Sequence, residues 1–64
     1  MKTYLVTFRN KKTGAIFAEV KVEALESAVK GGTANPCLIA ISKLTEEGKP
    51  LPKTGQCNWS YSEF

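Results

Sequence analysis

The chain has 64 residues, of which 42% are hydrophobic and 23% charged, and its formal net charge is +3 at pH 7. This length makes one small domain, residues 1–64, and the ordinary composition excludes a disordered protein. No apolar stretch reaches the roughly 20 residues that span a bilayer, and the charge excludes the acidic proteins that imitate DNA. Polar residues interrupt the N-terminal segment too early for a signal peptide, so we expect a cytoplasmic protein.

The first predicted element is a β-hairpin. Residues 3–9 alternate polar and apolar side chains, which is typical of a strand with one apolar face. Residues 10–14 combine an Asn and a Gly, as hairpin loops do, and Gly14 can adopt the left-handed conformation that closes a bulged turn. Residues 15–22 alternate again and predict the second strand, whose apolar face holds Ile16, Ala18, Val20 and Val22.

A short helix and a buried strand are predicted next. Residues 23–30 carry Leu25, Ala28 and Val29 at helical spacing, and two glycines follow as a C-terminal stop. Pro36 then restarts an extended chain, and residues 37–41 are almost continuously apolar. Such a run is typical of a central strand that is covered on both faces.

The C-terminal third predicts a turn, a connector and a closing strand. Residues 45–48 form a glycine-closed turn, and the two prolines of residues 49–52 indicate an edge or a connector. From residue 57 onward, Cys57, Trp59 and Tyr61 alternate with polar side chains. This period favours a last strand over a loose binding epitope or a platform for stacking bases. The predicted fold is α+β: a small antiparallel sheet of four to five strands with one short helix, in β-β-α-β-β order.

The sequence lacks the usual groups of catalytic chemistry. It contains no His and no Asp, so the common proton carriers and triads are missing, and we predict no enzyme, no metal site and no cofactor. The two cysteines, Cys37 and Cys57, predict free thiols more strongly than a disulfide. Residues 31–33, Gly-Gly-Thr, resemble part of a phosphate loop, but a helix stop explains them better.

Five side chains are candidates for binding a partner. An aromatic residue, Phe17, falls on the face of the second strand that should be polar, where it could contact a partner or lie under the C-terminal strand. A basic group at the hairpin tip could contact phosphates, or could be a solvated turn that keeps the sheet soluble. The predicted partner-binding residues are Phe17, Arg9, Lys11, Lys12 and Lys21.

In outline, residues 16–41 resemble small phage-encoded inhibitors of host machinery, such as anti-CRISPR proteins, which place one helix between strands of a compact sheet. The resemblance implies a non-enzymatic protein, encoded by a phage or mobile element, that masks a bacterial host protein or ribonucleoprotein complex. No motif aligns, so no functional residue carries over. The alternative is a small nucleic-acid-binding module that uses the basic hairpin tip. Steep salt dependence would identify phosphate binding.

Overall fold

The computed structural model describes residues 1–53 and 55–64. In this part of the chain the elements are, in order, β1 (Lys2–Asn10), β2 (Ile16–Ala24), α1 (Glu26–Lys30), α2 (Pro36–Glu46) and β3 (Cys57–Glu63). The described strands form one antiparallel sheet in the order β2-β1-β3, with β1 in the middle. Both helices pack against the same face of this sheet, where the core lies.

The predicted hairpin is confirmed. Tyr4, Val6 and Phe8 of β1 are buried, as the alternation requires, and they pack against the apolar face of β2. The side-chain oxygen of Asn10 accepts hydrogen bonds from the backbone N–H groups of residues 12 and 13, at 2.8 and 3.1 Å. Gly14 closes the loop with φ of 74°, the left-handed conformation that glycine adopts without strain.

A β-bulge interrupts the hairpin near its loop. Phe8 pairs with Ala18, and the next residue, Arg9, pairs with Ile16, so Phe17 has no partner in the register. A bulge of this kind inserts one extra residue in a strand and changes the direction of its side chain. Strict alternation therefore fails at Phe17, and Ile16, which was predicted for the apolar face, is exposed.

The first helix is shorter than predicted. Strand β2 continues to Ala24, which is buried, so the helix begins at Glu26 and not at residue 23. The predicted stop is confirmed, because Gly32 takes a φ of 79° and the N–H of Thr33 donates to the carbonyl of Ala28 at 2.9 Å. The segment Gly-Gly-Thr is therefore a helix end.

The predicted central strand at residues 37–41 is wrong, because these residues belong to α2. The side chain of Asn35 accepts a hydrogen bond from the N–H of Cys37 at 2.9 Å, and Pro36 occupies the first turn. This is an ordinary helix start. Cys37, Ala40 and Leu44 share the buried face of α2, at a helical spacing that a five-residue apolar run alone does not reveal.

The predicted closing strand is confirmed, but the predicted count of four to five strands is wrong. Strand β3 pairs with β1 over its whole length, and the ring of Trp59 lies 5.8 Å from that of Phe8 in an edge-to-face arrangement. Residues 49–53 are a connector, with Pro52 buried. The described residues therefore make three strands and two helices, in β-β-α-α-β order.

Candidate functional site

The strongest candidate contact residue is Phe17, at the hairpin end of the sheet. Its side chain is 46% exposed, although it belongs to a strand of the core sheet. Together with Ala18, Leu44, Lys49 and Pro50 it lines a hollow of about 250 Å³. Because Leu44 is on the buried face of α2, the bulge has placed Phe17 at the border between the sheet and the end of this helix. The prediction that Phe17 lies on the opposite, polar face is corrected accordingly.

The hairpin loop places two predicted basic residues beside the segment that precedes β3. Lys11 and Lys12 are exposed, and they line a hollow of about 280 Å³ with Asn10, Gly55 and Gln56. The N–H of Lys11 donates to the carbonyl of Gln56 at 2.9 Å, which holds the two segments together. The guanidinium of Arg9 donates to the carbonyl of Gly14 at 2.7 Å, so it lies along the hairpin loop.

The net positive charge of the chain is concentrated at this hairpin end. Lys49 lines the hollow with Phe17, and the carbonyl of Lys53 accepts hydrogen bonds from the N–H groups of residues 56 and 57. The basic residues of this end are Arg9, Lys11, Lys12, Lys49 and Lys53, and its acidic residues are Glu19, Glu46 and Glu47, so positive charge is in excess. Among the described residues of this end, the one ion pair joins the ammonium of Lys49 to the carboxylate of Glu47, at 3.8 Å.

The opposite end of the sheet is electrically balanced by close ion pairs. Lys2 lies 2.8 Å from both Glu26 and Glu63, and Lys30 lies 3.0 Å from Glu26. Hydrogen bonds from Lys2 and then from Lys30 lower the pKa of Glu26 to about 2. Hydrogen bonds to Glu26 and then to Glu63 raise the pKa of Lys2 above its ordinary value. These charges satisfy one another and join the start of β1, α1 and the end of β3.

The structure separates Lys21 from the other predicted contact residues. Lys21 pairs with Leu5 in the middle of the hairpin, and its ammonium group lies 4.0 Å from the centre of the Phe64 ring. This cation–π contact places the lysine over the C-terminal residue. Lys21 is therefore not part of the surface that Phe17 and the hairpin loop form.

Sequence reasoning missed the residues that complete the surroundings of Phe17. Lys49 and Pro50 were assigned to an edge or connector, yet they lie beside Phe17 after the C-terminal turn of α2. No sequence signal brings them to Phe17, since their position depends on α2 being a helix. The ring of Tyr61 on β3 is also exposed, although it shares the alternation of Cys57, which is buried, and Trp59, which is half-buried.

The two thiols lie apart in the fold. Cys37 is the second residue of α2 and Cys57 is the first residue of β3; both are buried and neither is in a disulfide in the described part of the chain. Burial raises the pKa of the Cys37 thiol. Among residues 1–53 and 55–64, no three Cys or Glu side chains converge as metal ligands would. Neither of the helices described has the length and hydrophobicity needed to cross a membrane.

Comparison with protein-family models, curated proteins and solved structures gave no match. The strand–helix–strand outline of residues 16–41, which suggested the resemblance to phage inhibitors, is in fact strand–helix–helix. The relationship to anti-CRISPR proteins stays a prediction.

Proposed function

We propose that this chain is a non-catalytic binding protein that masks a surface of a partner protein, with Phe17 as its apolar anchor. The observation that carries the proposal is the bulge, which takes an aromatic ring out of the β-ladder and leaves it half exposed beside Lys49 and Pro50. An aromatic group beside a lysine suits a partner surface that offers an apolar pocket with an acidic group at its rim.

The energy available from this anchor is substantial for a small protein. A Phe side chain presents roughly 200 Å², of which about half is still exposed here. Covering that half would contribute about 2 kcal/mol, which corresponds to roughly 30-fold in affinity. The lysines of the hairpin end would add attraction during the encounter, when the partner surface is acidic.

A nucleic acid is the second candidate partner. The feature that favours it is the hollow between the hairpin loop and residues 55–56, where Lys11 and Lys12 meet the polar side chains of Asn10 and Gln56. Such a surface offers cations and hydrogen-bond donors to phosphate groups. The aromatic ring of Phe17 could then stack on an unpaired base.

The proposed partner is a component of a bacterial host, and the proposed compartment is the reducing cytoplasm, where free thiols persist. The test is capture from bacterial lysate, with and without nuclease treatment, by the immobilised wild-type chain, with identification of captured proteins by mass spectrometry. Captures at about 0.1 M and about 0.5 M salt would separate the candidates, since the screening length falls from about 10 Å to below about 5 Å. Protein capture through an apolar anchor should persist, whereas phosphate binding should be lost.

Matched variants decide whether Phe17 is responsible. Phe17→Ala should weaken capture of the partner at least about tenfold, because it removes the anchor. The control is Leu38→Ala, since Leu38 is an apolar side chain of similar exposure, 56%, on α2. Equal capture by both variants and by the wild type would contradict the proposal.

A separate experiment tests the nucleic-acid alternative. Replacing Lys11 and Lys12 with Ser should change affinity for the protein partner little at high salt. Fluorescence anisotropy with single-stranded and duplex oligonucleotides of mixed sequence measures the alternative directly. Tight binding that weakens with salt, and that the double lysine variant abolishes, would establish the nucleic-acid function in place of the proposed one.

A further inference from the structure

The two outer strands of the sheet differ in how their outer edges are protected. Because β1 is central, β2 and β3 each have one edge that pairs with no other strand among the described residues. Edge strands are usually protected by charged side chains, bulges or covering segments, because their unpaired backbone groups attract another strand. Strand β2 has all of these: the bulge at Phe17, the charged residues Glu19 and Lys21, and Lys43 of α2, whose ammonium donates to the carbonyl of Lys21 at 2.9 Å.

Strand β3 has none of these protections over most of its length. Its sequence is Cys-Asn-Trp-Ser-Tyr-Ser-Glu, and only the last residue, Glu63, is charged. Its register with β1 runs without a shift from Cys57 to Glu63, so β3 has no bulge that would prevent another strand from pairing with it. An uncharged edge of this length is a template for another β-strand.

We propose that the occupant of this edge is a second copy of the chain, which pairs antiparallel with β3 across a two-fold axis and makes a continuous six-stranded sheet. The N–H of Cys57 already donates to the carbonyl of Lys53 at 3.2 Å, so the overlap of β3 with itself covers residues 58–62 and puts Ser60 on the axis. Trp59 of one copy then lies opposite Tyr61 of the other, and Asn58 lies opposite Ser62. Aromatic pairs on one face and hydroxyl–amide pairs on the other are favourable cross-strand neighbours. The strand is therefore self-complementary in this register.

The charges along β3 do not oppose this register. Glu63 is the one charged residue of the strand, and its carboxylate lies 2.8 Å from the ammonium of Lys2 in the same copy. The two-fold axis brings Glu63 beside Cys57 of the other copy and not beside its own counterpart, so no like charges meet along the edge.

The surroundings of Tyr61 leave room for the facing aromatic ring. Tyr61 is 47% exposed, and hollows of about 180 and about 410 Å³ adjoin it on the helix side of the sheet. The facing Trp59 is itself half-buried against Phe8, so its position is already fixed by the core. A side chain that is ordered before association loses less entropy when the dimer forms.

An interface made mainly of one strand is smaller than the roughly 1,200–2,000 Å² of standard stable interfaces, so we expect a reversible dimer with a micromolar or weaker Kd. Sedimentation velocity of the intact chain from about 10 µM to about 1 mM should show monomer converting to dimer. Amide hydrogen exchange at residues 57–63 should slow as the concentration rises, whereas exchange at residues 16–24 should not change. A monomer over the whole range would overturn the proposal.

Charge variants at the axis test the register. Ser60→Lys and Ser60→Glu each place two like charges opposite each other, so each variant alone should raise the Kd at least about tenfold. An equimolar mixture of the two should recover the dimer, because opposite charges then meet. Failure of the mixture to associate, or a dimer that either variant leaves intact, would overturn the proposed register.

The matched control is Glu19→Lys. Thr7 pairs with Glu19 on one side and with Ser60 on the other, so the two substitutions introduce a lysine at the same level on opposite edges of the sheet. The Glu19→Lys variant should keep the wild-type Kd. If it abolishes the dimer, the second copy binds at β2, and the proposal for β3 is wrong.

Discussion

Strands β2 and β3 flank the same central strand, yet they are held in place by different means. A loop of only a few residues joins β2 to β1, and α2 covers the inner face of β2. Strand β3 reaches β1 only after both helices and the connector, and it contributes Trp59 to the packing around Phe8. Pairing over a short loop loses little chain entropy, whereas the pairing of β3 must be supported by side-chain burial.

The comparison also separates the proposed functions of the two strands. Strand β2 is charged along its edge and exposes one aromatic ring, Phe17, at its bulge, which suits it to a partner with a pocket. Strand β3 is uncharged along most of its edge and suits pairing with another strand. Breaking each strand separately should therefore produce different failures.

Deletion of residues 58–64 should have the largest effect. It removes β3 and leaves a single hairpin as the sheet, and an isolated two-stranded hairpin is marginal in water. We expect loss of the cooperative thermal transition by circular dichroism. Removal of Phe64 alone, which is 69% exposed and lies beyond β3, is the control and should preserve the transition. Cooperative unfolding of the truncated chain would show that β1, β2 and the two helices form a stable fold without β3.

Truncation of two phenylalanines should separate the core from the surface. Phe8 is fully buried, so Phe8→Ala should cost about 3–5 kcal/mol and leave little folded protein. Phe17→Ala should cost about 2 kcal/mol, because only about half of the side chain is buried. Urea denaturation of both variants measures the difference. Unfolding of the Phe17 variant would show that Phe17 belongs to the core and would remove it as an anchor.

Gly14→Val tests the local connection of β2. No heavy atom lies within 4 Å of the position that a Cβ would take, so the cost comes from the φ of 74° alone. A β-branched residue resists this conformation, and we expect a loss of about 1–3 kcal/mol in the free energy of unfolding. Gly14→Asn should cost much less, since Asn tolerates positive φ. Urea denaturation measures both variants. Equal denaturation midpoints for Gly14→Val and Gly14→Asn would show that the positive φ at this position is not the cause of the loss.

Thiol labelling should report the difference between an edge and the interior. Cys57 begins an edge strand, which opens locally, whereas Cys37 is in the first turn of α2 and its thiol pKa is raised by burial. A raised pKa leaves less reactive thiolate, so we expect Cys57 to be modified first at neutral pH. Mass spectrometry of peptides from a time course measures both rates. Faster modification of Cys37 would indicate that the start of α2 opens more readily than β3.

The smallest effect concerns the ion pairs that join β1, α1 and β3. The pKa of Glu26 is lowered from 4.5 to about 2, so its folded-state pKa lies below that of the unfolded chain. The stability that it contributes is fully present above about pH 4.5 and is lost as the pH falls towards 2. Because Glu26 is exposed to solvent, this contribution is small. Glu26→Gln should lower the Tm slightly near neutral pH and should not change it near pH 2. A Tm difference that persists in acid would contradict the ionic origin.

Sequence reasoning succeeded where neighbouring residues decide the structure. The alternation of residues 3–9, the Asn10–Gly14 loop and the glycine stop at Gly32 depend on local geometry, and all were predicted. The central strand at residues 37–41 failed, although Asn35 and Pro36 form an N-cap and a first helical position that the sequence displays. The apolar run of residues 37–41 suggests a buried strand, but a run of only five residues fits a helix as well as a strand. The helix-start signal at residues 35–36 is the more informative feature.

The sequence by itself determined the hairpin, the strand period of β3 and the lack of imidazole and aspartate chemistry, because each depends on residue type and spacing along the chain. Only the tertiary structure decided that β1 is the central strand, that Phe17 bulges beside Lys49 and Pro50, and that the positive charge gathers at one end. These features arise from contacts between segments that are remote along the chain. Their energies depend on how α2 and β3 pack against β1, which a local pattern does not encode.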